Sequence, residues 1–153
     1  MENTVMQFVI DGVPVGKGRP RVTKHGYAYT PPRTKSYEEL VQWSFRSANK
    51  QRLPIGKGQP VEVTITAYYP IPTRVSKSVR EMMLSGIIRP CKKPDFDNVA
   101  KIICDALNGL AYYDDAQIVD CQVKKFYSEK PRVVVSIEPM ILTDLQADSA
   151  SQV

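Results

Sequence analysis

Residues 61–69 read VEVTITAYY, and this strict alternation constrains the fold more than any other stretch. Val61, Val63, Ile65, Ala67 and Tyr69 fall on one face of an extended chain; Glu62, Thr64, Thr66 and Tyr68 fall on the other. Successive strand side chains point to opposite faces, so the segment predicts a half-buried strand with one face to be covered. A second period supplies the cover. Over 98–108, Val99, Ile102, Ile103, Ala106 and Leu107 form the stripe of an amphipathic helix, which Gly109 stops. A one-faced strand and a one-faced helix predict an α+β fold: a small mixed or antiparallel β-sheet packed by helices.

The other elements follow from weaker signals. MQFVID (6–11) reads as a strand ended by Gly12-Val13-Pro14, and VGKGRPRVTKHG (15–26) as a basic loop leading to a short strand at 27–30. Pro31-Pro32 breaks the chain, and Ser36 with Glu39 forms a capping box for a helix with Leu40, Val41, Phe45 and Ala48 on its apolar face. Ser76 or Ser78 opens a short helix that Gly86 stops. Val119, Cys121 and Val123 alternate with polar residues in a further strand, which a hairpin at 128–131 joins to the last strand, 132–138. The length, 153 residues, fits one domain, placed at 1–142, with a polar, flexible tail at 143–153.

The three cysteines, Cys91, Cys104 and Cys121, form no CxxC pair, which argues against a zinc site or a disulfide framework; Cys104 and Cys121 read as core residues. There is no signal-like N-terminus and no apolar run near the ~20 residues of a membrane span, so the expected location is the cytoplasm, with no membrane partner.

The net charge of +5 favours acidic partners, nucleic acid first. The cations cluster: residues 12–37 hold Lys17, Arg19, Arg21, Lys24, Arg33 and Lys35 and no acid. A plain solvated loop is the ordinary reading; a surface for DNA phosphates is the functional one. His25 is the only histidine and no serine or cysteine motif accompanies it, so a nucleophilic triad is not supported. GKGRPR has neither the spacing nor the following helix of a P-loop.

Against this basic background stands KPDFDN, 93–98. Asp95 and Asp97 repel each other unless something positive lies between them. Asp97 and Lys101, four apart, share a helix face, with Asp105 and Asn108 near the same edge and the apolar stripe opposite. Mg²⁺ takes oxygen ligands, commonly one or two carboxylates with water and phosphate completing the shell. Asp-x-Asp at a helix start suits it, and Asp114-Asp115 on the following loop can supply a third carboxylate if that loop folds back. Each residue also has an ordinary role: Asp97 as a helix cap, Asp95 in an Asx turn, Asp114-Asp115 as a polar turn, Lys101 as a solvated partner of Asp97 or Asp105. Phe96 is expected to point into the core. The pattern lacks the turn glycine and distal glutamate of an EF-hand.

The run KPDFDNVAKIICDALNGLAYYDDAQIVD closely resembles the core of the RusA family of Holliday junction resolvases. That family carries D-x-D-N, a lysine, D-A-L and D-D-[AS]-Q-[VI]-V in this order. GVPVGKGRPRV and YTPPRTKSYEE look like the phage and prophage version. The resemblance implies a small α+β domain with a mixed sheet. It places three metal-binding catalytic aspartates on Asp95, Asp97 and Asp115 and a functional lysine on Lys101. It implies a homodimer that binds four-way DNA junctions and nicks two opposed strands with Mg²⁺, for which Mn²⁺ can substitute. Lys17, Arg19, Arg21, Lys24, Arg33, Lys92 and Lys93 are the candidate DNA-backbone contacts, and Tyr27, Tyr29, Tyr112 and Tyr113 are candidates to stack on exposed bases. The alternatives are a branched-DNA or flap endonuclease of broader specificity, a non-catalytic DNA-binding module and a structural interaction protein. Clustered acids beside DNA phosphates have no physical use in either of the last two.

Overall fold

The computed structural model describes residues 5–140, so the tail expected at 143–153 lies outside the described residues. The alternating segment becomes β4 (Val61–Pro70), and every residue of its apolar face is buried. β6 (Arg132–Pro139) pairs with it antiparallel on one side and β5 (Ile118–Ser128) parallel on the other; β1 (Met6–Asp11) lies beyond β6. The order β1-β6-β4-β5 is a mixed sheet, and with three helices it gives the expected α+β arrangement.

Two parallel neighbours cannot be joined by a tight turn, so 71–117 must cross over the sheet. This crossover carries α2 (Lys77–Leu84), capped by the Ser76 hydroxyl accepting from the Val79 N–H, and α3 (Phe96–Ala106). Val99, Ile102, Ile103, Ala106 and Leu107 of the predicted stripe are buried against the sheet, and Gly109 takes a left-handed φ of 79° just past the helix end. α1 (Pro32–Ala48) packs beside α3 and over β1, with Phe45 edge-on to Phe8 at 5.5 Å.

Several expectations are corrected. The strands β5 and β6 are not a hairpin, because β4 lies between them. Strands two places apart are about 10 Å distant, a gap that residues 129–131 bridge at roughly 3.3 Å each. The prolines at 31–32 start α1 instead of breaking the chain, since a fixed φ suits a first helical position. Ser36 therefore lies inside the helix. The buried face is Thr34, Tyr37, Val41, Ser44 and Phe45, while Leu40 and Ala48 are exposed. Arg21–Val22 (β2) pairs with Ala28–Tyr29 (β3), so part of the basic loop is a small exposed ribbon. Cys104 is buried as expected, but Cys121 and Val119 are exposed, because β5 is an edge strand that α3 covers only in part. Among the described residues no helix is long and apolar enough to cross a membrane.

Candidate active site

The segment before α3 is fixed from below. The buried Tyr69 of β4 donates its hydroxyl to the Pro94 carbonyl at 2.6 Å, tying the chain just before Asp95 to the sheet. Asp95 occupies the cap position with extended backbone, yet its side chain makes no capping bond; it pairs instead with the exposed Lys93 ammonium at 2.9 Å. Asp97 stands in the first turn, where a carboxylate also suits the positive end of the helix. Phe96, expected in the core, is 64% exposed: with Asp95 as cap, the buried stripe begins at Val99 and Phe96 falls outside it.

Asp97 and Lys101 open onto a hollow between α3 and β5 of roughly 600 Å³, whose wall also includes Phe96, Cys104, Asp115 and Cys121. Neither Asp97 nor Lys101 makes an ion pair among the described residues. Asp115 enters from the loop after α3, which folds back as the site requires. Tyr112, a stacking candidate, is instead fully buried and donates to the Cys104 carbonyl at 2.7 Å, anchoring that loop to the helix; Tyr113 is exposed. The Asn108 side-chain oxygen accepts from the Asp115 N–H at 2.8 Å.

Gln117 holds the rest of the loop. Its Oε1 accepts from the Tyr113 and Asp114 N–H groups, and its Nε2 donates to the Gly56 and Gln59 carbonyls. Asp114 accepts from the Ala116 N–H and completes a capping box with Gln117. Asp114 is thus a cap, and Asp115 is left free to face the helix. Asp114-x-x-Gln117 is a legible capping pattern that marks Gln117 as a positioning residue, missed in the sequence reading.

The Asp115 carboxyl is pushed up to about 6, first by burial, then by hydrogen bonding with Asp114 and Asp105 and by their charge. Asp97, Lys101 and Asp115 share the hollow. Asp95 instead lines a second, basic cleft of roughly 610 Å³ with Lys17, Arg19, Arg21, Arg33, Lys93 and Asn98. Among the described residues no three acidic, histidine or cysteine side chains converge as a metal cage. The donors near α3 still fit a hard divalent cation: carboxylate oxygens dominate, and the like charges that raise Asp115 are what a cation relieves.

Of the other candidate DNA contacts, Lys24 lies exposed in the turn of the β2–β3 ribbon. Lys92 places its ammonium over the Tyr127 ring, 5.4 Å from the centroid, and its carbonyl accepts from Lys125.

The profile of endodeoxyribonuclease RusA matches residues 11–138. The chain belongs to the RusA endodeoxyribonuclease family. It is 39% identical over 137 residues to the uncharacterized protein YqaN of Bacillus subtilis (strain 168), across 86% of this chain and 94% of that one. It is also 32% identical over 90 residues to the crossover junction endodeoxyribonuclease RusA of Lactococcus phage r1t, across 58% of this chain and 62% of the phage protein. The RusA match spans the basic cleft, α3, the Asp114-Asp115 loop and all but the last residue of the sheet's final strand.

Proposed function

We propose that the protein resolves four-way DNA junctions: a homodimer nicks two opposed strands with Mg²⁺, or Mn²⁺ in its place, held by Asp95, Asp97 and Asp115. One observation carries the reading. In a chain of the RusA family, Asp97, Asp115 and Lys101, whose ammonium has no ion pair among the described residues, line one hollow, with a basic cleft just across the start of α3.

A bound divalent ion would lower the pKa of a water and offset charge on the scissile phosphate. Asp97 and Asp115 offer carboxylates from two separate elements. Asp95 offers the third from the cap position, and its pairing with an exposed lysine is weak enough to exchange. Lys101 points its charge into the hollow, where it stabilises a phosphate or leaving oxygen. Arg19, Arg21, Arg33 and Lys93 hold the DNA backbone, with Lys24 and Lys92 as outlying contacts. Two copies of the site are what paired nicks require.

The test is cleavage of matched four-way, flap and linear duplex DNA with and without Mg²⁺, by wild type and Asp97→Asn. Symmetric nicks in the four-way substrate are expected, and Asp97→Asn should be slower by a factor of about 100 or more, the scale of losing one electrostatic stabiliser. Wild-type rates in Asp97→Asn would refute the metal-site assignment; equal cutting of flaps would favour the broader branched-DNA nuclease.

A further inference from the structure

Lys17 has partners that a DNA contact would not have. Its ammonium lies 2.6 Å from Glu38 Oε1 and 3.2 Å from Asp105 Oδ2, and its side chain is only 21% exposed. The backbone around it is clamped as well. The Lys17 N–H donates to the Asn98 carbonyl at 2.9 Å, and the Gly18 N–H donates to the Thr34 hydroxyl at 3.0 Å. Neither flanking glycine has room for a side chain: a Cβ on Gly16 would stand 2.8 Å from the Pro94 Cβ, and one on Gly18 would stand 2.6 Å from Thr34 Oγ1. Gly16-Lys17-Gly18 is therefore a strap pressed between α1 and the start of α3. It delivers one cation to Asp105, three residues before Asn108, whose side-chain oxygen accepts from the Asp115 N–H and brings that loop to this end of α3.

Building on the metal-nuclease reading, we propose that Lys17 is a positioning residue: as the fixed counter-ion of Asp105, it keeps that carboxylate out of the metal's coordination, so that Asp115 is the ligand the ion meets. A carboxylate already paired with a cation has less to gain from a second one. Lys17 is that cation, reaching Asp105 from the side of α1, and Glu38 holds Lys17 there. Without that cation, Asp105 is free to seek the divalent ion itself. An added oxygen ligand tightens binding of the ion while shifting it from the position that Asp97 and Asp115 set.

The experiment compares wild type, Lys17→Gln, Lys17→Arg and the double variant Lys17→Gln/Asp105→Asn. Mn²⁺ binding is measured calorimetrically on DNA-free protein, junction affinity in EDTA across a salt series, and cleavage at saturating Mn²⁺. Lys17→Gln should bind Mn²⁺ about threefold or more tighter, the scale of a partly exposed ion pair, yet cleave more slowly. Lys17→Arg should stay near wild type. The double variant should return Mn²⁺ affinity to the wild-type value, because the carboxylate that Lys17 restrains is gone. Junction affinity in EDTA should not change.

Unchanged or weaker Mn²⁺ binding by folded Lys17→Gln overturns the proposal. So does junction affinity in EDTA that falls with a salt slope shallower by about one, the signature of a lost phosphate contact. Lys17→Met, which keeps the stem, replaces Lys17→Gln if that variant does not fold. If wild type binds Mn²⁺ but cuts no branched DNA, the nuclease reading fails while the Mn²⁺ comparison still decides the role of Lys17. No Mn²⁺ binding by folded wild type overturns both.

Discussion

Asp115 is where the folded chain and the candidate chemistry pull in opposite directions. Its carboxyl is raised from an ordinary aspartate value to about 6 by burial and by Asp114 and Asp105. The folded state therefore holds a proton on Asp115 that the unfolded state has already lost between about pH 4 and pH 6. Stability contributed by this group is present below that window and is lost as pH rises through it. Asp115→Asn should accordingly raise the thermal midpoint in EDTA at pH 7, with the gain disappearing at pH 4. A pH-independent effect in paired melts would contradict the crowding. The same residue shows where sequence reading stopped. KPDFDN and the DD pair were legible as metal-ligand candidates, because two nearby aspartates pose an electrostatic problem in any fold. That Asp115 comes to share a hollow with Asp97 depends on the Tyr112 and Asn108 contacts that fold the loop back. Phe96 was misplaced for a related reason: once Asp95 occupies the cap, the buried face is set by Val99 and the residues after it.

Elements with a strong period were readable from sequence; those placed by competition between elements were not. β4 and α3 announce themselves by alternation and by a helical stripe, and their buried faces are the predicted ones. The 128–131 turn was also legible, but a turn does not say which strands pair. β4, apolar along a whole face, takes the central place between β5 and β6 and leaves β5 as the edge. The mixed sheet follows, and with it the crossover that lays α3 beside β5 and creates the hollow. The strap at 16–18 belongs to the same class: its glycines looked like loop residues, and only the packed structure shows them pressed against α1 and α3. Gly16→Ala should cost about 1–3 kcal/mol, the usual range for overpacking, because the obstructing atoms are the Cβ atoms of Pro94 and Asn98 at the helix start. Gly56→Ala, with open space around its Cβ and no left-handed φ, should stay within about 0.5 kcal/mol of wild type. Urea denaturation of the two variants separates them; equal midpoints would show that the strap is loosely held.

At the scale of the whole molecule, the net charge of +5 is distributed so that one end of α3 divides two environments. The hollow beside β5 gathers carboxylates, and the cleft beside α1 gathers Arg19, Arg21, Arg33 and Lys93. A polyanion is attracted to the second and repelled by the first until a cation neutralises it. On the proposed reading this division separates holding the backbone from cutting it, and makes binding testable without cleavage. Lys17 already pairs with Glu38 and Asp105, so on the proposed reading the three arginines should carry most of the cleft's share. Their replacement by glutamine should weaken four-way-junction binding in EDTA. Each lost phosphate contact should lower the slope of log affinity against log salt by about 0.9, giving a total near 2.7 if all three engage. Fluorescence anisotropy over a salt series measures both quantities. A parallel loss of affinity with an unchanged slope would mean that the arginines shape the cleft without touching phosphate. An unchanged affinity would move the DNA path to the other exposed cations, among them Lys24, Lys92 and Lys124.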